Sequence, residues 1–237
     1  MNDQMNAPMS PMPSGPTSFF RVWMNAVTKP SEQTFANMAS EPSASARKAF
    51  LWVFVSSLVY FFPALLVQGA VMRRFLEQFG GGGNFGVGDI EARLISLICG
   101  APIAAIITVV SFAIGTAIIQ WVAKLFGGKG TFGQLAYVFA AILAPFYLIN
   151  IVFTLLSAIP FVGLCFGILS LAVGLYALVL NIMAVKGVNQ FGWGQAAGSL
   201  FLPGLVLACC LIAPIAIMRA LGPAVGNTFS SINNSLP

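Results

Sequence analysis

Five long apolar runs, at approximately 49–72, 94–123, 135–158, 161–185 and 196–218, carry no charged side chain in their central parts. Crossing the hydrocarbon layer of a bilayer takes about 20 residues at ~1.5 Å of helical rise each. Every run is long enough, and the second has residues to spare, so it should tilt or protrude. Composition closes the alternative of a buried soluble core. Only 7% of the chain is charged and 58% is hydrophobic, whereas a soluble domain carries about 25% charged residues. So few charges cannot clothe a water-facing surface. The expected fold class is all-α, an integral membrane bundle of five transmembrane helices preceded by short amphipathic helices. A break at Pro145 would leave two pieces too short to cross, and Pro102, Pro145, Pro203 and Pro214 are expected to kink packed helices, with discontinuous helices of the transporter kind as the alternative.

Residues 1–17, rich in Pro, Met and Ser, read as a disordered cytoplasmic tail. No basic-then-apolar leader with a small-residue cleavage site is visible. Residues 18–48 form the amphipathic segment: Phe19, Phe20, Trp23 and Val27 recur at helical spacing, with Arg21 and Asn25 elsewhere on the turn. Pro30 breaks this helix at Lys29 and suits the first position of a second one carrying Phe35 and Met38. Both pieces are expected to lie on the membrane surface. The five-helix domain then occupies 49–218, and 219–237 is a C-terminal tail.

Orientation follows from lysine and arginine. With the N-terminus inside, the inner segments hold Arg21, Lys29, Arg47, Lys48, Lys124, Lys129 and Lys186, and the outer ones Arg73, Arg74, Arg93 and Arg219. The bias predicts a cytoplasmic N-terminus and an outer C-terminus.

The net charge of +5 is topology, not a nucleic-acid footprint, because the basic residues do not cluster with aromatic platforms. The sequence has no histidine, and Cys99, Cys165, Cys209 and Cys210 lie in apolar runs without spaced partners. No metal or cofactor is expected, and the cysteines read as small apolar packers. Intramembrane chemistry shows as ionisable residues within spans. The runs have none, so no catalytic residue and no enzyme is expected. Polar Asn, Thr and Ser faces leave a small permease or a lipid-transfer, scramblase-like pore as the alternative function.

Two glycine-rich loops imitate nucleotide motifs. In "KLFGGKGTFGQLAYVF", 124–139, Gly130 stands where a P-loop needs Ser or Thr, and Ala123 where it needs its first glycine. A turn between spans fits instead. Gly127 and Gly128 end the second span in left-handed geometry, Thr131 caps the third, and Lys124 and Lys129 sit at headgroup level. Gly81, Gly83 and Gly86 match G-x-G-x-x-G, but no strand precedes them and a flexible outer linker is expected.

The fourth run carries a seam of small residues, Gly163, Gly167, Ser170, Gly174, Ala177, Asn181 and Ala184, at alternating four- and three-residue steps. In lipid, helices associate by close approach over small residues and by hydrogen bonds. Ala101, Ala104, Thr108, Ser111 and Gly115 make a similar face on the second run, and Tyr147, Asn150, Thr154 and Ser157 one on the third. These three spans are expected to form the tight centre, bridged by Asn150 and Asn181. A Gly167→Leu change should disrupt it. The Phe, Leu, Ile and Val excess then faces lipid. The seam reads alternatively as a homodimer face.

The pieces "VTKPSEQTF", "FGGKGTFGQLAYVFAAILAP", "AIPFVG" and "AVKGVNQFGWGQA", in this order over roughly 20–218, resemble the Yip domain family of Ypt/Rab-interacting membrane proteins. The resemblance implies a non-enzymatic, five-span protein with a cytoplasmic N-terminus. Eukaryotic relatives sit in ER and Golgi membranes and engage small GTPases. Here "VTKPSEQTF" stands in place of their Asp-Leu-x-Gly-Pro element, closer to the prokaryotic branch. The expected location is therefore a prokaryotic plasma (inner) membrane, with an ER or Golgi membrane and a GTPase partner only for a eukaryotic-like chain. The expected function is a scaffold or membrane-organising, trafficking factor, or alternatively a stabilising subunit of a larger membrane complex. Its candidate docking loop is Lys124, Gly127, Gly128, Lys129, Gly130, Thr131, Phe132 and Gln134, with Pro30 and Phe35 beside it. Expected partners are the bilayer and other membrane proteins.

Overall fold

The computed structural model of this chain describes residues 19–78, 90–157, 159 and 162–235. The tail at 1–17 and the glycine linker with Gly81, Gly83 and Gly86 lie outside the described residues. Every element among them is a helix: α1 (Phe19–Thr28), α2 (Glu32–Ser40), α3 (Ala46–Gln78), α4 (Ile90–Leu125), α5 (Phe132–Ser157), α6 (Val162–Asn189) and α7 (Trp193–Ser235). Five contain stretches long and apolar enough to cross a membrane: Ala46–Val67, Leu97–Leu125, Phe132–Leu156, Cys165–Asn189 and Trp193–Cys210. Helices α3, α4, α5 and α7 run unbroken through Pro63, Pro102, Pro145, Pro203 and Pro214. The segment expected as a C-terminal tail continues α7.

Between α1 and α2 the second helix starts later than expected, and Pro30 is not its first residue. Ser31, not Pro30, opens α2: its backbone is extended and its hydroxyl accepts the Thr34 N–H at 3.0 Å. Pro30 stands just outside the helix, and Ser31 supplies the acceptor that the first turn needs. The two helices are also more than surface-lying pieces. Val22 and Ala26 of α1 and Phe35, Met38 and Ala39 of α2 are buried in the main core, against α5 and α6. Phe19, Phe20 and Met24 stay exposed on the outer side of α1.

Helix α5 is the most buried span. It packs most extensively on α3 and then on α6, while α4 joins α3 to α7 and α7 returns to α6, so the spans close into a ring. The centre thus falls on the first and third spans, not on the second, third and fourth. The reason is a row of three alanines at four-residue spacing on α5, Ala136, Ala140 and Ala144, all fully buried. Small side chains at this spacing let backbones approach closely, and Ala49 and Val53 of α3 fill the contact. Ser56 and Ser57 are buried on α3 as well. Their hydroxyls donate to the Trp52 and Phe54 carbonyls of their own helix at 2.7 and 3.1 Å.

Aromatic rings are not all turned to lipid. Trp23, Trp52 and Tyr137 meet in series across α1, α3 and α5, with centroids 5.8 and 5.1 Å apart. Phe146 of α5 meets Tyr176 of α6 at 6.4 Å. Branched aliphatic residues do occupy the outside, among them Ile103, Ile107, Val110 and Leu171. All four cysteines are exposed rather than packed. A thiol that behaves as a small hydrophobe is as well satisfied by acyl chains as by a core.

Candidate functional site

At one end of the bundle the turn 126–131 and the turn 190–192 lie side by side, with α1 and α2 packed nearby. The first turn stops α4 by two hydrogen bonds: Gly127 N–H donates to the Lys124 carbonyl at 3.0 Å, and Gly128 N–H to that of Ala123 at 2.9 Å. Gly127 has φ +86°, a region that a side chain resists, so glycine suits this helix end. Thr131 and Gln134 then open α5 reciprocally. The Thr131 N–H donates to Gln134 Oε1 at 2.9 Å and the Gln134 N–H to Thr131 Oγ1 at 3.4 Å, which is a capping box. The second turn is built in the same manner. Gln190, at φ +56°, ends α6 by donating its N–H to the Lys186 carbonyl at 2.8 Å. Gln195 accepts the Gly192 N–H at 2.8 Å, while its Nε2 donates to the Phe126 carbonyl at 3.3 Å.

A buried amide pair locks the two turns together. Gln120 Nε2 of α4 donates to the Gly130 carbonyl at 2.8 Å and to Asn189 Oδ1 of α6 at 2.9 Å. Asn189 Nδ2 donates to the Val185 carbonyl at 3.1 Å, and the Asn189 carbonyl accepts the Lys129 N–H at 3.2 Å. The packing leaves no room for a methyl group. A Cβ at Gly128 would come 2.6 Å from Asn189 Oδ1, and one at Gly130 2.7 Å from Val188 Cγ1. Further along α6, Gly187 receives α2: a Cβ there would stand 2.6 Å from the Glu32 carbonyl oxygen. Lys186 pairs with Glu32 across the same junction and lies 4.5 Å over the Trp193 ring.

The structure divides the expected docking loop in two. Lys124, Gly127, Lys129 and Thr131 are exposed, and Pro30, Phe132 and Gln134 are half-buried. Gly128, Gly130 and Phe35 are buried. Phe35 contacts this chain's own α6 at Gly187, so its ring is not free to meet a partner. The buried members shape the loop, and the exposed ones are what a second molecule could touch.

The small-residue seam of α6 is divided as well. Ala184 is buried and Gly163, Ser170, Ala177 and Asn181 are half-buried, but Gly167 and Gly174 are exposed. A Cβ on either of those two exposed glycines would meet nothing within 4 Å, so the tight contact expected along the seam is not made at these two positions. The bridging amides differ too. Asn150 Nδ2 donates to the Phe146 carbonyl of its own helix at 2.9 Å, and no hydrogen bond joins it to Asn181 among the described residues. Gln120 and Asn189 form the cross-helix bond instead. Both lie near the ends of their spans, where glutamine and asparagine pass for interfacial residues; the available signal is their closeness to glycine turns. On α4 the buried positions include Ala101, Ala105, Thr116 and Gln120, while Ser111 faces outward.

A family model described as the Yip1 domain matches residues 24–214. No curated protein and no solved structure matches the chain.

Proposed function

We infer, from the premise that this chain belongs to the Yip1 domain family, that it is a non-enzymatic scaffold or membrane-organising protein acting through the end that carries its paired turns. The observation supporting this reading is the joint between the turns. The buried amides Gln120 and Asn189 hold both in fixed register, and Lys124, Gly127, Lys129 and Thr131 project from that joint, exposed. A rigid base with exposed cations suits recognition. The ordering of the loop is already complete, so a partner would not bear that entropy. The lysine and arginine bias favours a cytoplasmic position for this end, and the expected location is a prokaryotic plasma membrane.

The test changes only the exposed residues, because replacing the buried glycines would disturb the fold. Lys124→Gln, Lys129→Gln and Thr131→Ala are combined in the full chain, which is crosslinked in native membranes and read by mass spectrometry. Loss of specific crosslinked proteins, with the melting temperature in detergent retained, supports the scaffold. An unchanged crosslinking pattern overturns it. Solute or lipid flux through the purified protein in liposomes would favour the pore reading instead.

A further inference from the structure

Helices α1 and α2 bound a cleft of about 310 Å³ lined by charged and amide side chains. Arg21 and Asn25 of α1 and Lys29 just past its end line one side; Thr34, Asn37 and Glu41 line it from the α2 side. Its floor is apolar, formed by the buried Val22 and Met38. Small-molecule clefts span about 300–1,000 Å³, so the volume is near that of a headgroup, not of a folded partner. Among the described residues neither Arg21 nor Lys29 has an ion-pair or side-chain hydrogen-bond partner; the single ion pair there is Lys186 with Glu32. Two cations against one carboxylate leave the cleft with net positive charge.

Its position sets the source of the ligand. Helix α1 rests on the start of α3 through Trp23 and Trp52, and its Val27 carbonyl accepts from the Tyr176 hydroxyl of α6 at 2.6 Å. Its outer side exposes Phe19, Phe20 and Met24. An amphipathic helix with such a side sinks to the boundary of headgroups and acyl chains, which brings the cleft to the depth of lipid phosphates. We propose that the α1–α2 cleft binds the phosphodiester headgroup of an anionic phospholipid, held by Arg21 and Lys29 and hydrogen-bonded by Asn25, Thr34 and Asn37. The acyl chains run beside Phe19, Phe20 and Met24. This site is separate from the paired turns and does not rest on the scaffold reading.

The full chain in detergent is titrated with short-chain phosphatidylglycerol, short-chain phosphatidylcholine and glycerol 3-phosphate, and retained ligand is counted by native mass spectrometry. One phosphatidylglycerol is expected to be retained in preference to phosphatidylcholine, with glycerol 3-phosphate not retained. A hydrogen bond to a charged phosphate contributes about tenfold or more, so Arg21→Gln with Lys29→Gln should weaken retention roughly 100-fold. Arg21→Lys should keep most of it, and Lys124→Gln with Lys129→Gln should leave it in place. Equal retention of the two lipids overturns the proposal, as does a double variant that binds like the native chain. Glycerol 3-phosphate bound as tightly as the lipid would assign the cleft to a soluble phosphate ester and overturn the lipid assignment.

Discussion

At Gly187, where α6 receives α2, the Glu32 carbonyl oxygen stands 2.6 Å from the place a Cβ would take. That neighbour is backbone, which cannot swing aside. Gly187→Ala therefore sets a helix-propensity gain of up to about 1 kcal/mol against an overpacking cost of about 1–3 kcal/mol. Clash outweighs propensity, and a lower melting temperature in detergent is expected. Gly115 and Gly167 provide the contrast, because a Cβ at either meets nothing within 4 Å. Gly115→Ala and Gly167→Leu should not lower the melting temperature of the monomer, the reverse of the expectation for Gly167 drawn from its seam.

Among the elements, α2 has the contact most open to test. Phe35 is fully buried and seats α2 on α6. Truncating a buried Phe typically costs about 3–5 kcal/mol. The local stability of so short a helix is small, so Phe35→Ala should detach α2 well before the spans separate. Limited proteolysis between residues 29 and 45 reads this out: rapid cleavage is expected in the variant and slow cleavage in the native chain, with equal melting of the spans. The elements themselves were largely legible in the sequence, since uncharged runs of span length leave little choice of structure. Which faces meet was not. The glycine-rich seam of the fourth run was the more conspicuous pattern, yet the row Ala136, Ala140 and Ala144 carries the centre. Small residues permit close approach without demanding it, and the choice depended on complementary shapes on α3. The caps were legible in part: Gly127 and Thr131 by their turn chemistry, Ser31 hidden behind the louder Pro30.

For the whole molecule, the interlock of the turns fixes relative sidedness. Lys129 and Asn189 share a main-chain hydrogen bond of 3.2 Å, so positions 129 and 190 must face the same aqueous compartment. In a chain whose four native cysteines are replaced by alanine, Lys129→Cys and Gln190→Cys should each react with an impermeant maleimide from one side only. Arg73→Cys should react from the other side. Labelling of 129 and 190 from opposite sides would rule out the ring of helices. The candidate site was legible as a loop rich in glycine and lysine, but its locking partner Asn189 is 69 residues from Gln120. Contacts between groups so far apart in the chain depend on the assembled bundle, not on local pattern.

The same interlock holds helix α7 chiefly by its first turns. Helix α7 turns Ala196 and Ser199 inward, but from Phe201 to Cys210 every residue is exposed except half-buried Pro203. Along α7 cohesion is thus concentrated where the turns clasp. The tilt of this helix is therefore set by few contacts beyond those turns, so a thinner bilayer, which a helix meets by changing its tilt, should move α7 more readily than the closely packed α3 and α5.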